Sequence, residues 1–424
     1  MKKENLINNI SLRIILQRLL ITLITILIIR IGSFLPIPGI NHTELALFIE
    51  NNSFTKNIVN TFSGNDTVVI SLFTLNILPY INASIFIQLL VAFSPSLSKL
   101  QKEGDLSSRR SLSRLTRIIT LIWGIIQSIG LGLYLRQILF SWNSQLLFEI
   151  SLSLTTGSMV VLWLSELITE YGLGNGASLL IYTNIVSNFP NFYKNLMTEN
   201  SSNLTIYSQI IICCLLIISL CGIVLLQEGI RPIKLISSKE LNRVGPSEVS
   251  SINNYLPIKL NQAGVMPIIL TTTVLVLPGY LNNLGLFSQF NLPDLGIFSK
   301  IVYWIMYVTL ILLFSSFYST VALNPKDIAD QLQKMTVAIP GIRPGVQTGF
   351  YLKKVMNRLT MLGAFMLALL AILPNLIQAT LKLSNLNGLS TTSLLIMGGV
   401  LVDITKEIED IVYSNVYKKD TFKL

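Results

Sequence analysis

Three observations predict an all-α polytopic membrane protein with ten transmembrane helices in two pseudo-symmetric inverted halves. Hydrophobic residues make up 51% of the 424, and charged residues only 12%, half of the roughly 25% that a water-facing surface carries. Apolar stretches able to cross a roughly 30 Å hydrocarbon core recur along the chain. The net charge of +10 concentrates in alternate loops, as the bias of Lys and Arg toward the cis side of a membrane requires. This composition excludes a soluble enzyme, a disordered chain and a secreted disulfide scaffold.

Taken in order, residues Met1 to Ser11 are polar and basic, with neither a cleavable signal nor a transit peptide. The expected spans are Ile15–Leu35, Val68–Phe93, Leu115–Leu135, Phe148–Ile168 and Ala177–Phe189, then Ile206–Leu226, Ala263–Leu281, Ile301–Leu323, Leu359–Ile377 and Leu389–Ile404. The fifth is short enough to read as re-entrant by periodicity alone, so the charge pattern arbitrates. Lys99, Lys102, Arg109, Arg110 and Arg114 follow the second span. Arg231, Lys234, Lys239, Arg243 and Lys259 follow the sixth, and Lys326, Lys334, Arg343, Lys353, Lys354 and Arg358 follow the eighth. The intervening loops hold few bases. Both termini therefore lie on the cis side, cytoplasmic or stromal. Spans one to five (residues 1–195) and six to ten (196–424) start with opposite orientation, as inverted repeats would.

The bases sit in loops and form no Arg-rich helix or aromatic-interleaved sheet of a nucleic-acid reader. Loops 227–262 and 324–358 exceed ordinary helix connections and are candidate docking surfaces. Cys213, Cys214 and Cys221 share one apolar run and are expected to be buried thiols, and His42 is the only histidine. No metal-ligand spacing, nucleotide-binding loop or nucleophile–base pair is present, so no cofactor and no enzymatic activity are expected. Acids and bases avoid the middles of the spans: Arg18, Arg30, Arg117, Glu149, Glu166 and Asp403 are expected near their ends. A pore without charges gates by dewetting or by a plug. The small polar stretch NTFSGNDT (60–67) reads on composition alone as a surface loop.

Several motifs are more specific: RIGSFLPIPGIN (30–41), LPYINASIFIQLL (78–90), QKEGDLSSRRSLSRLTR (101–117), WLSELITEYGLGNGASLLI (163–181), LPIKLNQAGVMP (256–267), and NPKDIADQLQKMTVAIPGIRPG (324–345) followed by VMNRLT (355–360). In order and spacing, from Arg18 to Asp403, they resemble the SecY family of protein-conducting channels.

That resemblance implies a clamshell of two halves around an hourglass pore, open sideways to lipid through a lateral gate. It implies a constriction ring at Ile81, Ile85, Ile181, Ile185, Ile269 and Ile396. It places a plug near 55–67, at Asn60, Thr61, Phe62, Ser63 and Gly64, which reverses the compositional reading of that stretch. Gln127 and Asn261 match polar positions of the lateral gate. Arg231 and Arg343 match docking positions, Arg231 within a segment less basic than the family pattern. Implied partners are SecE and SecG subunits, the SecA ATPase or a ribosome with the signal recognition particle pathway, signal-sequence-bearing polypeptides, and membrane lipid. The AT-type composition resembles plastid-encoded members, which points to the thylakoid membrane, with a bacterial inner membrane as the alternative. Inverted halves alone would also permit a secondary transporter of a small solute. The absence of midplane ionisable residues disfavours that reading.

Overall fold

The computed structural model describes residues 2–37, 71–94, 105–134, 143–187, 206–237, 255–262, 297–322, 324–381 and 391–421, with isolated positions at 97, 190 and between 264 and 274. Among the described residues the helices are α1 (Lys2–Gly32), α2 (Leu78–Phe93), α3 (Leu106–Tyr134), α4 (Ser144–Tyr171), α5 (Gly176–Ser187), α6 (Ile206–Glu228), α7 (Ile297–Ala322), α8 (Pro325–Lys334), α9 (Val346–Leu381) and α10 (Thr391–Thr421). Four short strands accompany them: β1 (Ile230–Lys234), β2 (Ile236–Ser237), β3 (Tyr255–Lys259) and β4 (Val337–Ala338). Five helical stretches are long and apolar enough to cross a membrane, and α2, α5 and the end of α6 are shorter apolar helices. Helices dominate because hydrocarbon offers a backbone amide no partner outside its own segment. The chain is an all-α polytopic membrane protein that forms two compact units, Met1–Thr205 with Leu383–Leu424, and Ile206–Lys382.

In the first unit, α3 packs on α2 and α4, α4 on α1 and α5, and α10 on α1 and α5. The interior mixes aliphatic side chains, such as Ile150, Leu154, Val161 and Ile168 of α4, with many small residues. Thr120, Gly124, Ser128 and Gly132 recur every fourth position of α3 and are all buried, so they share one helix face. On α4, Ser151, Gly157, Ser158 and Ser165 are buried, while Phe148 and Trp163 are exposed. This inverts the soluble pattern. Lipid is as apolar as leucine, so helices associate through close backbone approach and local polar contacts. The hydroxyls of Thr120, Ser128 and Ser158 donate to carbonyls three or four residues back, at 2.7–2.9 Å, and so enter the interior satisfied.

The expected second span differs from the structure. Its helix starts only at Leu78, and residues 71–77 form buried turns. Ser71 N–H donates to Thr74 Oγ1 at 2.7 Å, and the Thr74 hydroxyl donates back to the Ser71 carbonyl. These side-chain bonds compete with helix formation. Asn76 takes a positive φ of 46°, a conformation that Asn tolerates better than most residues. Such irregular backbone is admissible at membrane depth when protein covers it. Here Gly157 provides the cover: a Cβ there would collide with the Leu72 carbonyl.

In the second unit α9 packs on α6, α7 and α8. The described parts of the expected loops 227–262 and 324–358 are folded. β1 pairs antiparallel with β3, setting Arg231 opposite Ile258, and β2 pairs with β4 through Ile236↔Ala338 and Ser237↔Val337. Asn324 caps α8, accepting from Lys326 N–H, and Pro325 opens the helix, where its missing N–H costs nothing. Ile233, Ile258, Leu332, Ile339, Leu352, Val355, Met356 and Leu359 form one buried cluster beneath these elements. That cluster explains why α9 begins at Val346, ahead of the expected Leu359: its first turns bury one face and leave Lys353, Lys354 and Arg358 exposed. Helix α3 likewise starts before Leu115, and α10 runs past Ile404 to Thr421. The expectation of buried thiols is corrected as well. Cys214 and Cys221 are free, but exposed on the apolar outer face of α6.

The close approach at Gly157 makes a test. Gly157→Ala is expected to lower the thermal midpoint of the purified complex, at a cost of about 1–3 kcal/mol from overpacking. Gly130→Ala, where an added Cβ meets nothing within 4 Å, is expected to be neutral or mildly stabilising. Equal midpoints for the two variants would contradict this packing.

Candidate functional site

Three glycines in the turn between α4 and α5 organise one end of the first unit. A Cβ on Gly172 would press on Thr22 of α1, and one on Gly176 would collide with the Ser165 carbonyl of α4. Gly174 has φ +80°, and a Cβ on it would stand 3.3 Å from Ile404 of α10. Glycine is required at this turn because three helices close on it from different sides. Thr169 Oγ1 accepts Gly176 N–H at 2.9 Å, and Asn175 Oδ1 accepts Ala177 N–H at 3.1 Å, satisfying donors at the start of α5. The Gly174 N–H donates to Glu407 Oε2 of α10. Glu407 also lies 3.7 Å from Arg18 of α1. Sequence reasoning placed Arg18 in the first turn of its span and did not single out Glu407. The signal it missed is the spacing of the three glycines.

The ring candidates of this unit lie on three helices. Ile81 and Ile85 of α2 are both 7% exposed. Ile181 and Ile185 of α5 and Ile396 of α10 are half-buried. The i, i+4 pairs on α2 and α5 each fall on one helix face, as their spacing requires. The structure brings α5 and α10 together, and packs α2 on α3. Ile269 lies outside the described residues, as do Asn60, Thr61, Phe62, Ser63 and Gly64.

The gate candidates differ in how they are satisfied. Asn261 is buried and its side-chain amide donates to the Gly264 carbonyl at 2.9 Å. Gln127 of α3 is half-buried, and its Oε1 is enclosed with no hydrogen-bond partner among the described residues. Next to Asn261, Gln262 Oε1 accepts the Ser319 hydroxyl at 2.7 Å, and Ser319 lies 2.7 Å from the Thr360 hydroxyl. A short polar chain therefore ties the entry of the seventh expected span to α7 and α9. Arg117 and Glu166, expected at span ends, form a two-point ion pair between α3 and α4 at 2.9 and 2.7 Å. This fork geometry removes two charges from the apolar surface at once.

Both docking candidates are exposed. Arg231 projects from β1, whose neighbour Ile233 is buried. Arg343 sits in PGIRPG between Gly341 (φ 79°) and Gly345 (φ 99°). Ile342 packs on the buried cluster, and the Arg343 carbonyl accepts the Thr348 hydroxyl at 2.9 Å. The guanidinium is thus held out from a turn fixed on both sides.

A family model for SecY matches residues 71–405. The protein translocase subunit SecY of Trieres chinensis is 57% identical over 412 residues, covering 95% of this chain and 97% of that relative. Among solved structures, one of a SecY protein, described in terms of a plug domain that stabilises the closed state of its channel, superimposes with a TM-score of 0.65 at 18% identity, covering 95% of this chain and 94% of that one. Sec61 from a canine ribosome–channel complex follows at 0.60, also 18% identical, with the same coverage. At that identity the structures establish a shared fold, whereas the sequence matches span the elements that carry the glycine turn, the ring helices and both docking segments. The chain belongs to the SecY family.

Proposed function

We infer that this chain is the central channel subunit of a Sec-type protein translocase, passing unfolded polypeptides across a membrane and releasing transmembrane segments sideways into lipid. Its membership of the SecY family over residues 71–405 carries this reading. It catalyses no reaction. The physical support is an interior of aliphatic and small hydroxyl side chains, while Arg117 and Glu166 neutralise each other on its outer surface. An interior of that kind suits a channel better than an ion-coupled carrier, so the small-solute transporter has nothing specific in its favour.

The finer assignments are part of the proposal. The chain forms two inverted halves of five spans, 1–195 and 196–424. Ile81, Ile85, Ile181, Ile185, Ile269 and Ile396 form the constriction, where branched aliphatic groups exclude water and yield to a passing chain. Residues Asn60 to Gly64 belong to a plug within 55–67. Gln127 and Asn261 line the lateral gate. Polar contacts between helices in lipid are worth about 0.6–2 kcal/mol, which biases closure while leaving it breakable by a signal sequence. Arg231 and Arg343 dock an acidic protein surface or ribosomal RNA phosphate. Partners are SecE- and SecG-like subunits, SecA, a ribosome with the signal recognition particle pathway, and signal-bearing polypeptides. The Sec61 relative in a ribosome–channel complex supports the ribosomal part of that set. The similarity to the Trieres chinensis protein supports a plastid thylakoid location, with both termini stromal.

Two substitutions test the reading. Ile396→Asn is expected to raise the resting ion conductance of reconstituted channels several-fold, because an amide at the constriction holds water, and to admit substrates with defective signal sequences. Unchanged conductance together with unchanged export of such substrates would remove Ile396 from the ring. Arg343→Glu is expected to cut translocation by roughly tenfold, since reversing a docking charge sets like charges against each other. Membrane insertion and thermal midpoint should be retained. Full translocation by that variant would exclude Arg343 from docking.

A further inference from the structure

The helices that carry three of the five described ring candidates, α5 and α10, pack together, and the turn before α5 is tied to α10 by a hydrogen bond. Helix α5 begins two residues after Gly174, and Ile181 and Ile185 lie within its first ten residues. Helix α10 carries Ile396 near its start and Glu407 three turns further on, about 16 Å along the axis. The Glu407 carboxylate accepts the Gly174 N–H.

We propose that Glu407 is a positioning residue that fixes the axial register of α5 against α10, and thereby the relative heights of Ile181, Ile185 and Ile396. This rests on reading those isoleucines as part of the constriction. The contact is directional: a carboxylate at the N-terminal approach of α5 meets both a free donor and the positive end of the helix dipole. It is also confined sideways. A Cβ on Gly174 would stand 3.3 Å from Ile404 and 3.4 Å from Leu179, so the turn that presents the N–H has little room to shift. Arg18, at 3.7 Å and more than a third exposed, contributes weakly. The amide hydrogen bond therefore sets the register, and the ion pair with Arg18 is secondary.

The test is the resting ion conductance per assembled channel, measured on complete translocons in proteoliposomes alongside Ile396→Asn. Glu407→Ala is expected to raise conductance about tenfold, the scale of losing one charge-assisted hydrogen bond. Glu407→Gln keeps an oxygen acceptor for Gly174 N–H and should stay within about twofold of the original chain. Arg18→Gln should behave like Glu407→Gln. A merely structural role would lower the yield of assembled channels without changing conductance per channel. Should the alanine variant fail to assemble, Glu407→Asp, one methylene too short, replaces it: leak from Asp and none from Gln supports the register. Leaky Ile396→Asn beside a tight Glu407→Ala (or Asp) overturns the positioning role alone, as does equal leak from Ala and Gln. A tight Ile396→Asn overturns the ring reading and this inference with it.

Discussion

The helix pairs of the membrane-spanning part depend on one constraint: in hydrocarbon there is no hydrophobic drive to hold helices together, so backbones must come close enough for dispersion and short polar contacts to do it. That is why the buried stripe of α3 is Thr120, Gly124, Ser128 and Gly132, while Ile122, Ile126 and Leu133 face outward. It is also why the irregular segment 71–77 survives at depth. Gly157 admits the Leu72 carbonyl, and the Ser71–Thr74 pair satisfies backbone that a helix would otherwise have satisfied. Removing the small residues would separate the helices and expose unpaired amides together, so the two effects would be lost in a single step.

Outside the apolar slab the same chain reverts to ordinary aqueous packing. The cluster under β1, β3, α8 and the start of α9 is built from Ile, Leu, Val and Met, because there water penalises exposed apolar area. The cluster binds both long loops into a single module through β2–β4 pairing. An arginine proposed for docking on such a module has its backbone fixed before any partner arrives. Arg343 loses little freedom on binding, since its turn is already fixed by Ile342 and by the Thr348 hydroxyl. Membrane packing supplies closeness between helices, and aqueous packing supplies a stiff platform.

Among the described residues five long and three shorter apolar helices fall on expected spans, and they were legible because composition and loop charge report on the environment of a segment. The proposed ring, gate and docking roles rest on motif resemblance alone; a single isoleucine in a span carries no sign of whether it meets lipid, a neighbour or a pore. Helix ends were read poorly for a physical reason. Hydropathy stops where the membrane stops, but α9 continues from Leu359 back to Val346 because Leu352 and Val355 bury one face in the module, and amphipathic turns average to no hydropathy signal. The strands were missed because β1 and β3 are stabilised by partners more than twenty residues away in sequence. Glu407 was missed because its importance lies in a backbone N–H at Gly174, which has no side-chain signature.

The two residues proposed for the lateral gate differ in how their side-chain amides are satisfied. Asn261 is content where it is: its amide is spent on the Gly264 carbonyl, and beside it the Gln262–Ser319–Thr360 chain pins the entry of the seventh expected span. Gln127 is not, because its Oε1 is enclosed without a donor among the described residues. An unsatisfied buried acceptor costs about 1–3 kcal/mol, and the cost is recovered by any arrangement that brings a donor to it. That is of the same order as one interhelical polar contact in lipid. Gln262 shares that condition on one side, its Nε2 being enclosed without an acceptor among the described residues while its Oε1 is bonded. Each unit thus holds a buried amide with one polar atom unmet, and in both a rearrangement that supplies the missing partner recovers the cost.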